Sequence, residues 1–107
     1  MENRYMRLIV MFDLPVTEAS ERKAATKFRN YLLKQGYQML QYSIYYRIVN
    51  GFDMRKKFEK QLQYNLPSRG SIRLLVVSEK QFESMNVLVG YKTPIENKIN
   101  DDSLVTF

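Results

Sequence analysis

Nine residues near the N-terminus, Met6 to Leu14 (MRLIVMFDL), constrain the fold more than any other part of this chain. They are almost continuously apolar and rich in large and β-branched side chains. The run is far short of the roughly 20 apolar residues that span a membrane. It also lacks the strict alternation of a strand with one wet face. It reads as a central β-strand buried on both faces. Pro15 stops it, because proline has no N–H to give to a sheet ladder. A strand of this kind needs apolar layers packed on it, and the rest of the chain must supply them.

Two amphipathic segments can do so. Glu18 to Gln35 has Ala24, Ala25, Phe28, Tyr31 and Leu32 on one face at helical spacing. Thr17 is the expected N-cap, Glu18 and Glu21 suit the positive end of the helix, and Gly36 supplies a left-handed stop. A second helix, capped by Asn50 or Asp53, runs to about Asn65 and steps Met54, Phe58, Leu62 and Leu66 along one side. Pro67 ends it. Between the helices, Tyr37 to Val49 (YQMLQYSIYYRIV) is β-prone throughout. Thirteen residues are long for one strand, so the segment is expected to be two strands with a tight bend near Gln41 to Ser43. Ser71 to Val77 (SIRLLVV) is a further, mostly buried strand. Ser78 and Gln81 form a capping-box pattern for a short helix through about Met85, and Asn86 to Tyr91 (NVLVGY) has the composition of a last short strand.

The order is β-α-β-β-α-β, an α+β ferredoxin-like sandwich with an extra C-terminal strand and a polar tail. With 107 residues, one domain is the default. Residues 1–91 form that ferredoxin-like domain and residues 92–107 the tail. Many activities share this topology, so chemistry must come from particular residues.

Composition removes several chemistries. The chain has no cysteine and no histidine. Thiolate metal sites, disulfides, a cysteine nucleophile and a Ser-His-Asp arrangement are thereby excluded within one chain. Any catalysis must use carboxylates, Tyr, Ser or Lys, with a hard, oxygen-bound metal if one is needed. No membrane span is present and no signal-peptide pattern is seen, so the expectation is a cytoplasmic protein. The net charge is +6. Residues 1–90 carry 15 basic and 8 acidic side chains, whereas residues 91–107 are slightly acidic. A basic body suits a polyanionic partner.

Asp13 is the first candidate for chemistry. It stands at the exit of an apolar strand, where a carboxylate is costly without a partner or metal. The same position suits an aspartate that caps the following turn. One carboxylate is a sparse ligand set for magnesium, and Glu18 and Glu21 lie across the loop. A two-fold dimer could bring two copies of Asp13 together; without a metal, their repulsion would raise one pKa. The second candidates are basic. Lys23, Lys27 and Lys34 form a helical stripe without acids four residues on to pair with. Arg22 and Arg29 line the other flank and could clamp phosphates. Arg55, Lys56 and Lys57 add a cluster on the second helix. No base-reading motif is visible, so these residues suit sequence-independent binding to a phosphate backbone. Tyr42, Tyr45 and Tyr46 could stack on unpaired bases, although alternate tyrosines more commonly pack on a sheet.

Taken together, these segments resemble a known family. Phe12-Asp13-Leu14-Pro15, then Glu21-Arg22-Lys23, Phe28-Arg29-Asn30-Tyr31-Leu32 and Gly36-Tyr37 resemble the N-terminal pattern of the CRISPR-associated Cas two (Cas2) family. Gln41-Tyr42-Ser43-Ile44-Tyr45 resembles its second signature, commonly Gln-x-Ser-Val-Phe. The likeness runs from about Met6 to Val77, with Asn86 to Tyr91 matching the family's extra strand. It implies a ferredoxin-like homodimer that partners the Cas one integrase, bridges its subunits and holds spacer-precursor DNA during spacer acquisition. It also implies the alternative of a magnesium-dependent endonuclease on single-stranded RNA or duplex DNA, with Asp13 as metal ligand, or a toxin ribonuclease of the related VapD group. Arg22 and Arg29 match basic positions of the pattern. The tail resembles the form found beside Cas nine nuclease systems. Two positions depart: Phe12 stands where many members have Tyr, and Tyr46 where Glu is frequent. The absence of histidine and of a second acid favours the binding and bridging role over hydrolysis, which often uses two metals held by several carboxylates.

Overall fold

The apolar run near the N-terminus becomes the centre of a sheet because both of its edges find a partner. In the computed structural model, which describes residues 4–90, β1 is Tyr5–Asp13 and is followed by α1 (Ala19–Lys34), β2 (Gln38–Gln41), β3 (Ile44–Asn50), α2 (Phe52–Gln63), β4 (Ser71–Ser78) and α3 (Glu79–Glu83). The strands lie in the order β2-β3-β1-β4, and every pairing is antiparallel. This is the α+β ferredoxin-like arrangement expected from the sequence. The tail at 92–107 lies outside the described residues. No described helix is long and apolar enough to cross a membrane.

Alternation along β1 divides the core in two. Leu8 and Val10 are fully buried on one face, together with Phe28 and Leu32 of α1, Tyr45 and Val49 of β3, and Phe58 and Leu62 of α2. Burying each such side chain contributes about 1.5–3 kcal/mol. Phe12 closes this layer, edge-on to Phe28 at 5.2 Å and stacked on Tyr45 at 5.7 Å between ring centroids. The opposite face holds a smaller cluster of Ile9, Tyr46 and Phe82. There Arg7 reaches Glu79 through two hydrogen bonds of 2.7 and 3.0 Å, and its guanidinium lies over the Phe82 ring at 3.9 Å. A five-residue helix cannot stand alone in water; this ion pair and Phe82 fasten α3 to the sheet.

The punctuation is partly as expected. Gly36 takes φ +89°, and the N–H groups of Gly36 and Tyr37 return to the carbonyls of Leu33 and Leu32, closing α1 with a Schellman motif. The bend between β2 and β3 is a two-residue turn at Tyr42 and Ser43, with Ser43 in the left-handed region at φ +66°. The Ser78–Gln81 capping box forms with both of its bonds, at 2.9 and 3.1 Å. Three expectations need correction. The N-cap of α1 is Glu18, whose N–H donates to Glu21 Oε1 at 2.9 Å, and not Thr17. The Glu21 carboxylate, three residues into the helix, closes a capping box back onto the N-cap backbone. The N-cap of α2 is Gly51, not Asn50 or Asp53. Its N–H donates to the Arg4 carbonyl and it sits at φ +89°, which a side chain disfavours. Finally, residues 86–90 form no strand, and Tyr91 lies outside the described residues. Leu88 and Val89 are 89% and 90% exposed. A β-prone composition makes a strand only where it pairs, and residues 86–90 pair with no strand of the described chain.

A buried tyrosine marks the helix-side core. The Tyr37 hydroxyl has no hydrogen-bond partner among the described residues, and burial pushes its pKa up to about 12. The neutral phenol is therefore favoured in the folded state. Stability from this group is intact below the ordinary pKa near 10 and falls as pH rises toward 12. Tyr37→Phe is expected to flatten the alkaline loss of stability between these values and to leave neutral stability unchanged or higher, because a partnerless buried hydroxyl is lost; urea unfolding at neutral pH and near pH 11 checks both. For the latch, Glu79→Gln should cost about 2–3 kcal/mol by leaving Arg7 without its counter-charge. The double change Arg7→Met with Glu79→Leu should cost clearly less than the sum of Arg7→Met and Glu79→Leu made singly, a non-additivity that the double-mutant cycle of these variants measures.

Candidate functional site

Asp13 ends β1 where the sheet opens to solvent, and the pairing of β1 with β4 decides its neighbours. Asp13 stands opposite Ser71 and Met11 opposite Arg73. Side chains on one face recur every second residue. Ser71 and Arg73 therefore share the face of Asp13, opposite the layer of α1 and α2. The β2–β3 turn completes the surroundings: the Ser43 carbonyl accepts a 3.0 Å hydrogen bond from the Phe12 N–H, which holds the turn against β1. The result is a shallow groove of about 300 Å³ lined by Asp13, Tyr42, Ser43, Ile44, Ser71 and Arg73 among others.

The position of Asp13 is fixed from below. Gly70 precedes β4 at φ +101°, and a Cβ there would lie 2.6 Å from Leu14 Cδ2 and 2.7 Å from the Asp13 carbonyl oxygen. Only glycine lets the loop pass this close to the end of β1. Among the described residues no three acidic side chains come together as a metal site. One chain thus offers a divalent cation a single carboxylate with serine hydroxyls nearby, in a groove that also holds a cationic arginine. Glu18 and Glu21 are engaged elsewhere. Glu21 lies 3.2 Å from Arg69 and is held below the usual carboxylate range, first by the Glu18 N–H and then by that arginine. Both acids line a separate cavity of about 280 Å³ between the start of α1 and the loop at Pro67–Arg69.

The basic residues lie on the other side of the molecule. Lys23, Lys27, Arg29 and Lys34 of α1 and Lys56 and Lys57 of α2 are exposed, and none of them makes an ion pair among the described residues. The structure does not bring them to Asp13, because both helices pack on the opposite face of the sheet. One expected phosphate clamp, Arg22, and one member of the second cluster, Arg55, are already engaged. Arg22 Nη1 donates to the carbonyls of Val16 and Thr17 at 3.2 and 2.8 Å, stapling the loop before α1. Arg55 lies 3.6 Å from Glu59, one turn further on. On the helix layer, free surface charge is therefore concentrated in the lysines and Arg29.

The tyrosines separate cleanly. Tyr45 and Tyr46 are core residues on opposite faces of β3, and the Tyr46 hydroxyl donates to Gln38 Oε1 at 2.9 Å. Tyr42, by contrast, is 74% exposed. The two departures noted in the sequence also find their places. Phe12 packs into the helix-side core, and Tyr46 sits beneath Arg7, whose guanidinium is 5.0 Å from its ring. Sequence reasoning missed Ser71 and Arg73. The alternation of SIRLLVV could have put them on one face, but only the β1–β4 register places that face beside Asp13.

Comparison with known proteins bears on this arrangement. The family model described as "CRISPR associated protein Cas2" matches residues 6–85. A CRISPR-associated endoribonuclease Cas2 of Acidovorax ebreus (strain TPSY) is 49% identical over 102 residues, spanning 95% of this chain and 100% of that protein. A protein of the same description from Campylobacter jejuni is 40% identical over 105 residues, spanning 98% of this chain and 73% of the relative. One from Streptococcus mutans (strain UA159) is 40% identical over 102 residues, with 95% and 92% covered.

Proposed function

The chain belongs to the CRISPR associated protein Cas2 family, and on that footing we propose that it acts as a homodimer that grips spacer-precursor DNA by its phosphate backbone and bridges subunits of the Cas one integrase during spacer acquisition. The observation that carries this reading is the line of exposed, unpaired lysines on α1, Lys23, Lys27 and Lys34, on a chain of net charge +6. Charges left without counter-ions on a rigid helix suit a polyanion whose phosphates recur along a line, and neutralising those phosphates releases bound salt ions. Phosphate contacts carry no sequence information, so affinity without sequence preference follows from this reading.

The homodimer has its own support. Tyr5, Ile48 and Leu75 are exposed apolar side chains on the sheet face opposite α1 and α2, and Val87, Leu88 and Val89 follow α3 without cover. Exposed apolar surface of this extent favours association. A second copy placed over this face would supply the missing layer, with two-fold symmetry making the contact self-complementary.

A second reading is favoured by one observation: the relatives are described as endoribonucleases, and Asp13 lies in an open groove. In that reading the chain is a magnesium-dependent endonuclease of RNA or duplex DNA. Its single carboxylate per chain is a sparse ligand set for the ion, since magnesium takes one or two carboxylates and keeps several waters, and Asp13 of a second copy would supply the second. When bound, the ion supplies a more acidic water and stabilises charge on the phosphate. Asp13 would hold it, and Ser43 and Ser71 would line its surroundings.

Spacer integration reconstituted with the integrase separates the two. Asp13→Ala is expected to support integration as the parent does while losing any cleavage of RNA. A variant that dimerises and binds DNA yet fails to integrate would move the chemical role of Asp13 ahead. Lys23→Glu with Lys27→Glu should weaken duplex binding and lower the slope of log affinity against log salt by about one unit per lost phosphate contact. An unchanged slope removes the stripe from the interface.

A further inference from the structure

Where α1 begins, under the loop at Pro67–Arg69, lies a cavity of about 280 Å³. It is just smaller than the roughly 300–1,000 Å³ of small-ligand sites. Its lining changes character with depth. Ala25 is buried, and Leu14, Pro15, Ala24 and Pro67 are half-buried, so the floor is apolar. Glu18 and Ser68 are exposed and stand at the mouth. The hollow follows from the filling of α1. Phe28 and Leu32 pack the core further along the helix, whereas Ala24 and Ala25 offer only methyl groups. The walls are held in place. Arg69 Nη1 lies 3.2 Å from Glu21 Oε2, which ties the loop to the helix. Gly70, at φ +101°, seats the loop against Leu14 and the Asp13 carbonyl. Pro15 and Pro67 have fixed φ. A hollow with such walls binds at small cost in lost freedom.

Charge selects the occupant. Glu21 is engaged by Arg69 and by the Glu18 N–H. The Glu18 carboxylate makes no ion pair among the described residues. The mouth therefore carries an uncompensated negative charge on a helix layer whose exposed charge is otherwise mostly lysine. A phosphate is repelled there, and a wholly apolar side chain leaves Glu18 unused. A side chain with an apolar stem and a cationic head matches both floor and mouth.

We propose that this cavity is a docking pocket for a protein partner, which inserts an arginine or lysine flanked by apolar residues. The stem lies against Leu14, Ala24 and Pro67, and the head meets the Glu18 carboxylate. Arginine is the better match, because its planar fork bonds both oxygens of a carboxylate. The pocket is walled by α1, on the helix side of the sheet, so a second copy over the far face leaves it open. It also stands apart from the nucleic-acid reading, which gains nothing from carboxylates at the mouth.

The test is a titration of the isotope-labelled full chain with the peptide acetyl-Leu-Arg-Leu-amide, read by amide chemical shifts. Two control peptides replace the arginine by citrulline, which keeps the shape without the charge, or by glutamate. The arginine peptide should shift amides between Leu14 and Ala25 and between Pro67 and Gly70. The citrulline peptide should bind about threefold more weakly, the scale of an exposed ion pair, and the glutamate peptide more weakly still. Glu18→Gln should erase the difference between arginine and citrulline. Ala24→Leu, which fills the hollow, should weaken the arginine peptide about tenfold, as loss of an anchor pocket does. Should Ala24→Leu fail to fold, the Glu18→Gln comparison decides. No shift in these segments up to the solubility limit of the peptide overturns the proposal. So do equal affinities of the parent for the arginine and citrulline peptides. Lys92→Gln with Lys98→Gln tests a competing occupant within the chain: unchanged peptide affinity is expected, and a clear gain would assign the pocket to the chain's own lysines and overturn the assignment to a partner.

Discussion

Burial of β1 on both faces is the constraint on which the rest of the molecule depends. Leu8 and Val10 face one layer and Ile9 the other, and hydrogen bonds run from both edges to β3 and β4. A backbone this deeply enclosed must have every polar group paired. Both neighbours must therefore be present before either face is worth covering. The helices follow from that. α1 and α2 cover the side where β1 and β3 place Phe12, Tyr45 and Val49, and the short α3 covers only the end of the other side near Arg7. Asp13 is where this enclosure stops, and its exposure is a consequence of being the last residue of the strand.

Much of this was legible because it is local. The runs at 6–14 and 71–77, the helical stripe through Phe28 and Leu32, the Gly36 stop and the Ser78–Gln81 cap depend on residues within one turn or one strand of each other. The bend at Tyr42–Ser43 was legible despite lacking glycine, because thirteen β-prone residues are too many for a strand of this size. What escaped was set by distant partners. Gly51 caps α2 in a backbone conformation fixed by its hydrogen bond to Arg4, nearly fifty residues upstream. The segment at 86–90 has strand composition but pairs with no strand of the described chain. For the site, Asp13 was visible at the end of its apolar run, whereas Ser71 and Arg73 needed the β1–β4 register. The basic residues of α1 and α2 lie at the surface, with Arg55 half-buried, and nothing in the spacing reveals that Arg22 Nη1 donates to Val16 and Thr17.

The fold segregates two kinds of surface. The helix layer presents lysines without counter-ions, and the far face presents apolar side chains with one carboxylate in a groove at its edge. A sheet one strand deep keeps the two apart. Each surface can change without disturbing the other, since the side chains that separate them belong to the core. The two readings of family function, gripping a backbone and acting on one, draw on different sides of this division.

The latch between Arg7 and Glu79 joins residues 72 apart in sequence, and this has a consequence in time. Such a contact closes late, after the sheet that carries Arg7 has assembled, because long-range contacts wait on loop closure. It also opens early, since α3 is short and little apolar surface holds it. The described segment from Glu79 to Gly90 is thus expected to open as a unit of its own, with its amides exchanging before those of β1.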